Sequence, residues 1–250
     1  DKANGKTEVN CRYEIVNGNT VRFKLKSYSA ASPLIIDPTV IFSSFSGSTS
    51  DNWGFTATPG PDGSLFGGGI VQQNGYPLTS GAYQQAPGGG HWDIGLTRFS
   101  TDGTTRLYST YLGGNADDYP LSMIADGQGN LVMMGRTYST NFPGKAIVAA
   151  GGTGADLFVA KFNAAGTALI GSLRIGGSGV DAANIEDQRG NNTPAKRTRT
   201  LRFYGDDSRG EVILDGSNNI YVATQTQSNN FPMVNPFQGS IAGLQDGVIL

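Results

Sequence analysis

Two stretches near the start of the chain alternate apolar and polar residues. EVNCRYEIV at 8–16 and TVRFKLKSY at 20–28 both show period two, the spacing of a half-buried strand. Asn17-Gly18-Asn19 stands between them, and Asn-Gly tolerates the positive φ of a type I′ turn, so a β-hairpin is predicted. PLIIDPTVIF at 33–42 reads as an extended connector or edge strand, because Pro33 and Pro38 each remove a ladder donor. Farther on, short apolar runs alternate with Gly, Asn and Asp. LSMIAD (121–126), LVMMGRT (131–137), DLFVAKF (156–162) and TALIGSLRI (167–175) are each of strand length and separated by turn signals. No long run has helical spacing, so the pattern describes an all-β chain.

These runs recur. FSSFSG at 42–47 precedes YSTYLG at 108–113, and Gly113-Gly114 returns as Gly176-Gly177. Leu65-Phe66, Leu131-Val132 and Ile220-Tyr221 correspond, as do Tyr76-Pro77, Phe142-Pro143 and Phe231-Pro232. Asp93, Asp156 and Asp246 head a third set of matching strands. The period is about 63–66 residues, which makes the chain a tandem array. Copy one spans 41–107, copy two 108–170 and copy three 171–250, with an insertion at 184–210 that has no counterpart. Residues 1–38 form a separate hairpin-and-connector segment ahead of repeats at 39–250. Four strands per period make a small antiparallel sheet that buries little alone, so the copies must stack. Radial stacking of four-stranded blades is the β-propeller, seen here as about three blades.

The pattern YSTYLGG…D…GN-apolar-V…G-T-S-NFP…D-FVAKFN…G resembles the bacterial seven-bladed β-propeller repeat called SBBP. Here it is carried by Tyr108 to Gly114, Asp118, Gly129-Asn130, Gly135, Thr137, Ser139, Asn141 to Pro143 and Asp156 to Asn163. PLIIDP is similar to the lead-in before the first such repeat. The resemblance is specific in copy two and looser in copies one and three. It implies a large secreted or surface-anchored bacterial protein, of a kind frequent in gliding or type IX-secreting bacteria. Seven blades of about 63 residues would need roughly 440. The remaining blades are therefore expected on the same, longer polypeptide.

Composition narrows the chemistry. The 250 residues include 37 Gly, 12 Phe and 10 Tyr, with 15% charged and a net charge of −2, so no global field favours nucleic acid. A single cysteine, Cys11, excludes an intramolecular disulfide framework, and it reads as a small buried hydrophobe. No apolar run reaches the roughly 18 residues of a membrane helix, so no membrane insertion is expected.

His91 in GGGHWDIG is the lone histidine, which leaves no base for a hydrolytic triad elsewhere. Trp92 beside it is a candidate for stacking a sugar, against the reading of a loop residue covering a sheet edge. Asp62, Asp126 and Asp215 head DGS, DGQGN and DGSNN turns, where Asp accepts local N–H bonds and Gly supplies positive φ. Their acids are too sparse for the six to eight oxygens of calcium, so no metal and no cofactor are expected. Asp117-Asp118 are adjacent carboxylates in a turn, without a general acid–base arrangement. The glycine clusters at 67–69, 88–90 and 151–154 match no phosphate-binding loop. In the insertion, Lys196, Arg197, Arg199 and Arg202 gather as a basic face for an acidic glycan, nucleic acid or partner protein, against the reading of a solvated loop paired with Asp206 and Asp207.

The expectation is a non-catalytic binding or structural module of an extracellular or outer-surface bacterial protein, adhesin-like, contacting protein or glycan. The alternatives are a carbohydrate-active propeller with catalytic residues outside this stretch, and a cargo of a secretion system.

Overall fold

The structure, a computed structural model, describes residues 9–16, 20–29, 31, 33–34, 40–144, 146–148, 154–182 and 210–250. These divide into two compact units, 1–40 and 41–250. In the first, β1 (Cys11–Val16) and β2 (Thr20–Leu25) pair antiparallel, from Cys11 opposite Leu25 to Val16 opposite Thr20. Arg22 and Lys24 on β2 both reach the carboxylate of Glu14, at 2.7 and 2.8 Å. Cys11 is exposed, contrary to its reading as a buried hydrophobe. A two-stranded ribbon has no second layer of its own to enclose a side chain.

Among the described residues, the second unit contains three sheets and no helix. The first runs β3 (Asn52–Pro59), β4 (Leu65–Gln72), β5 (Trp92–Phe99) and β6 (Arg106–Leu112), each antiparallel to the next. The second has β7 (Asp118–Ala125), β8 (Leu131–Thr137), β10 (Asp156–Phe162) and β11 (Leu169–Ile175), with β9 (Ala146–Val148) on its far edge. β9 lies parallel to β11, a departure from the all-antiparallel expectation. It covers an edge whose backbone groups would otherwise stand open. The third sheet has, among the described residues, three strands: β12 (Glu211–Leu214), β13 (Ile220–Thr226) and β14 (Asp246–Ile249), the last being the counterpart of β10.

The sheets are out of phase with the sequence units. Tyr108 to Leu112, the start of copy two by sequence, closes the first sheet by pairing with β5. The chain then crosses at Gly113-Gly114 to begin the second sheet at Asp118.

Every residue of β8 is buried, which explains why LVMMGRT is a nearly continuous apolar run. Leu131 and Met133 face the first sheet, in a core with Phe66, Ile94, Leu96, Phe158 and Phe162. Val132 and Met134 face the third, in a second core with Leu157, Val212, Val222 and Val248. Each large apolar side chain enclosed this way contributes about 2–3 kcal/mol. The first strands adjoin in order, β7 packing on β3 and β12 on β7.

The Asp-headed turns follow from local hydrogen bonding. Asp126 Oδ1 accepts from the backbone N–H of Gln128 and Asn130, and Asp215 Oδ1 from those of Ser217 and Asn219. Gly129 takes φ 80° in the first turn, and Asn218 takes φ 63° at the matching place in the second. Asn is the non-glycine residue best suited to that region.

Candidate functional site

Two features stand apart from routine packing: a pair of polar joints between sheets, and an open groove on the first sheet.

Each joint joins the last main strand of one sheet to the first strand of the next. After β6, the Gly114 N–H donates to Asp118 Oδ2 at 2.8 Å, and Ser139 Oγ donates to the same oxygen at 2.8 Å. The Ala116 N–H donates to Ser139 Oγ, and the Asn115 N–H to Asn141 Oδ1. After β11 the same contacts reappear. Gly177 N–H and Ser228 Oγ donate to Asp181 Oδ2 at 2.7 and 2.9 Å, Gly179 N–H donates to Ser228 Oγ, and Ser178 N–H to Asn230 Oδ1. Thr226 Oγ1 donates to Asp181 Oδ1. Asp118 and Asp181 are both fully buried. These recurring acids therefore fasten a crossover to the loop after the next sheet's second strand, a role different from the turn-heading of Asp126.

The joints differ in their second carboxylate. Asp156 at the later joint is bound by Arg174, Nε to Oδ2 at 2.8 Å, and Arg174 Nη1 donates to Ser139 O. At the earlier joint Asp93 takes the place of Asp156. The position matching Arg174 is Tyr111, whose hydroxyl donates to Gln73 O and accepts from the Tyr76 N–H. Asp93 Oδ2 accepts from the N–H of Gly88 and Gly89, while Oδ1 has no hydrogen-bond partner among the described residues. Burial, and next the charge of Asp118, push the Asp93 carboxyl up to about 7. Burial pushes Asp118 up to about 6. Asp156 is also raised by burial, with Arg174 opposing the rise. Among the described residues, no three His, Cys, Asp or Glu side chains gather as a metal set.

The groove, about 570 Å³, lies over β3, β4 and β5 and is bordered by Phe45, Trp53, Phe55 and Phe99. Its floor includes Gly54 and Gly67, where an added Cβ would meet no atom within 4 Å. Tyr76 folds over Gly95, and its hydroxyl lies 2.6 Å from Thr97 Oγ1, which lies 2.8 Å from Ser109 Oγ. Phe45 is 96% exposed and Trp53 56%.

Trp92, the sugar-stacking candidate, is the first residue of β5 and only 5% exposed, in a core with Ile70 and Tyr119. Its ring lies 5.1 Å from that of Trp53, so Trp53 is the indole that offers surface. His91 meets the Trp92 ring edge-on at 5.0 Å, and its Nε2 lies 2.6 Å from the Gln72 amide nitrogen. Asp117 Oδ1 accepts from the backbone N–H of His91 and Trp92, while Asp118 turns inward, so the adjacent acids diverge. Lys196, Arg197, Arg199 and Arg202 lie outside the described residues. Trp53 and the groove were missed in the sequence, where only a comparison of Gly67 with Met133 pointed to them.

Residues 1–39 match a family described as a domain of unknown function, DUF7948. No curated protein matches the chain.

Proposed function

We propose that this chain is a non-catalytic binding module of a secreted bacterial surface protein, built as an arc of an SBBP-type β-propeller. The radial reading is supported by the adjoining first strands β3, β7 and β12 and by the two joints that repeat one set of hydrogen bonds. A propeller places its first strands nearest the axis and packs each sheet face to face with the next.

The observation that carries the binding role is the aromatic-bordered groove on the first sheet. Large exposed apolar patches with polar neighbours mark interaction sites. Phe45 and Trp53 expose such surface beside Asn52 and Ser46, whose side chains hydrogen-bond to each other. The test is binding of the purified chain to arrays of glycans and of bacterial surface proteins, with Trp53→Ala as control. Retention by the native chain, lost in the variant and without release of sugar products, supports the reading. Release of free sugars sinks it in favour of a carbohydrate-active enzyme.

A further inference from the structure

The stretch 86–91, which leads into β5, lies flat against the crossover that follows β6. A Cβ on Gly88 would overlap the carbonyls of Gly113 and Gly114, one on Gly89 would press on Asn115, and one on Gly90 on Ala116 and Asp117. Three consecutive glycines let this strap come so close, because side chains would hold the two backbones apart. The strap is tied on either side. Ahead of it Gln84 Oε1 accepts from the Gly113 N–H, and at its end Asp117 Oδ1 accepts from the N–H of His91 and Trp92. Between these ties it is fastened by Asp93 Oδ2, which accepts from the Gly88 and Gly89 N–H.

Asp93 is a conditional anchor. Its Oδ1 lies beside Asp118 across the place of a Gly113 Cβ and has no donor among the described residues. Asp117 adds negative charge next to the pair. The Tyr111 hydroxyl donates to Gln73 O and that of Tyr119 to Asp117, while His91 Nε2 lies against the Gln72 amide. Arg174, from β11, reaches Ser139 O and pairs with Asp156, and the Arg136 guanidinium of β8 lies over the Tyr138 ring. Ionising both carboxyls therefore sets like charges together in an enclosed site. The Asp93 side yields first. Gly88 on its strap is exposed, whereas Gly114 and Ser139, which hold Asp118, are buried.

We propose that the strap at 86–91 is a proton-operated latch, closed on the crossover while Asp93 and Asp118 share a proton and released when that proton leaves. Burial raises both carboxyls in the closed form, and water admitted by opening returns them toward ordinary values, so closing binds a proton. The latch is shut in mild acid and opens as pH rises through the raised values. Opening uncovers the Asp117 carboxylate and the backbone of 113–116. The first two sheets stay together, because their shared core of Phe66, Leu96, Leu131 and Met133 includes no strap residue. The later joint is an internal control, since Arg174 supplies there the positive charge that the earlier joint takes from a proton.

Amide hydrogen exchange of the 250-residue chain, corrected at each pH for the intrinsic rate, tests this. Between about pH 5.5 and 8, protection of the Gly88, Gly89 and His91 amides should fall about tenfold, the loss for one proton released over one pH unit. The Gly177, Gly179 and Asp181 amides of the later joint should change by less than about twofold. Asp93→Asn should abolish the pH dependence of the strap with circular dichroism unaltered. Tyr111→Arg, which puts a guanidinium at the position matching Arg174, should keep the strap protected at pH 8. Strap protection that does not change with pH in the native chain overturns the latch. So does an equal loss at both joints, which would mean general loosening, or a pH dependence that survives Asp93→Asn. Should Tyr111→Arg fail to fold, the comparison of the native chain with Asp93→Asn decides alone.

Discussion

Asp93 and Asp118, from two successive sheets, each hold a carboxylate oxygen within 3.0 Å of one point, where a Cβ on Gly113 would sit. Among the described residues, no guanidinium stands beside Asp93 as Arg174 stands beside Asp156. Two buried carboxyls this close do not both ionise readily, so the pair holds a proton well above the usual carboxylate range. With folded values of about 7 and about 6, the native chain binds more protons than the unfolded chain between pH ~4 and ~7. The stability from this pair is complete below the unfolded value and is lost as pH rises through the folded ones. Melting temperature should therefore fall between pH 5 and 8. Asp62 and Asp102, held at about 2 by their hydrogen bonds, lose their contributions only in stronger acid and do not mask the trend. Asp93→Asn should flatten the profile and stabilise the chain at pH 8 by roughly 2 kcal/mol. A melting temperature unchanged across that range in the native chain would falsify the shared-proton account.

The crossover glycines follow from the same geometry. A Cβ on Gly113 would overlap Asp93 Oδ1, and one on Gly176 would overlap Asp156 Oδ1. Neither glycine has positive φ, so the demand is for space. Gly113→Ala and Gly176→Ala should each cost about 2 kcal/mol or more, the upper part of the usual range for forcing a methyl into a filled site. Gly171→Ala, on β11 with no atom within 4 Å of the added methyl, should stay within about 0.5 kcal/mol of the native chain. Urea unfolding of the three variants checks the contrast, and equal effects would refute it.

Much of the second sheet is legible in the sequence because its causes are local. The Asp126 and Asp215 turns bond to residues two and four positions on, and β8 is apolar on both sides because it is enclosed on both. Asp118 and Asp181 stand out as recurring acids, yet their role depends on Ser139 and Ser228, 21 and 47 positions away. The recurrence of Ser139 and Ser228 with Gly114 and Gly177 was the available signal. The phase of the sheets is a different matter. A repeat can be cut anywhere along its period, and only the pairing of β6 with β5 assigns Tyr108 to the first sheet. The groove is fainter still, because a glycine in a strand gives no sign of whether a neighbour fills the space above it.

The two tryptophans give an optical handle on the groove. Trp53 is 56% exposed and Trp92 5%, with their ring centroids 5.1 Å apart and the planes tilted by 31°. Acrylamide should quench the native emission mainly through Trp53, and Trp53→Phe should leave a blue-shifted, poorly quenched Trp92. A partner entering the groove should shift the emission of a Trp92→Phe variant to the blue. That variant should cost roughly 1–2 kcal/mol, since a smaller ring leaves space beside Ile70 and Tyr119. Equal quenching of both indoles would contradict the placement of Trp92 in the core.

Arg174 supports its joint in two ways, pairing with Asp156 and donating to Ser139 O beside the Asp118 cluster. Both partners of the ion pair are largely enclosed, at 15% and 7% side-chain exposure, so removing one leaves the other stranded. Arg174→Met should therefore destabilise the chain by roughly 3 kcal/mol, more than an exposed pair would lose. It should also steepen the fall of stability with rising pH, because Asp156 is already raised by burial and would lose the cation that opposes the rise. Adding Asp156→Asn removes the stranded charge, and the double variant should regain most of the loss. A double-mutant cycle by urea unfolding at pH 6 and pH 8 separates the cases. Additive losses at both pH values would mean that Arg174 acts through packing alone, and that the two joints do not differ in charge compensation.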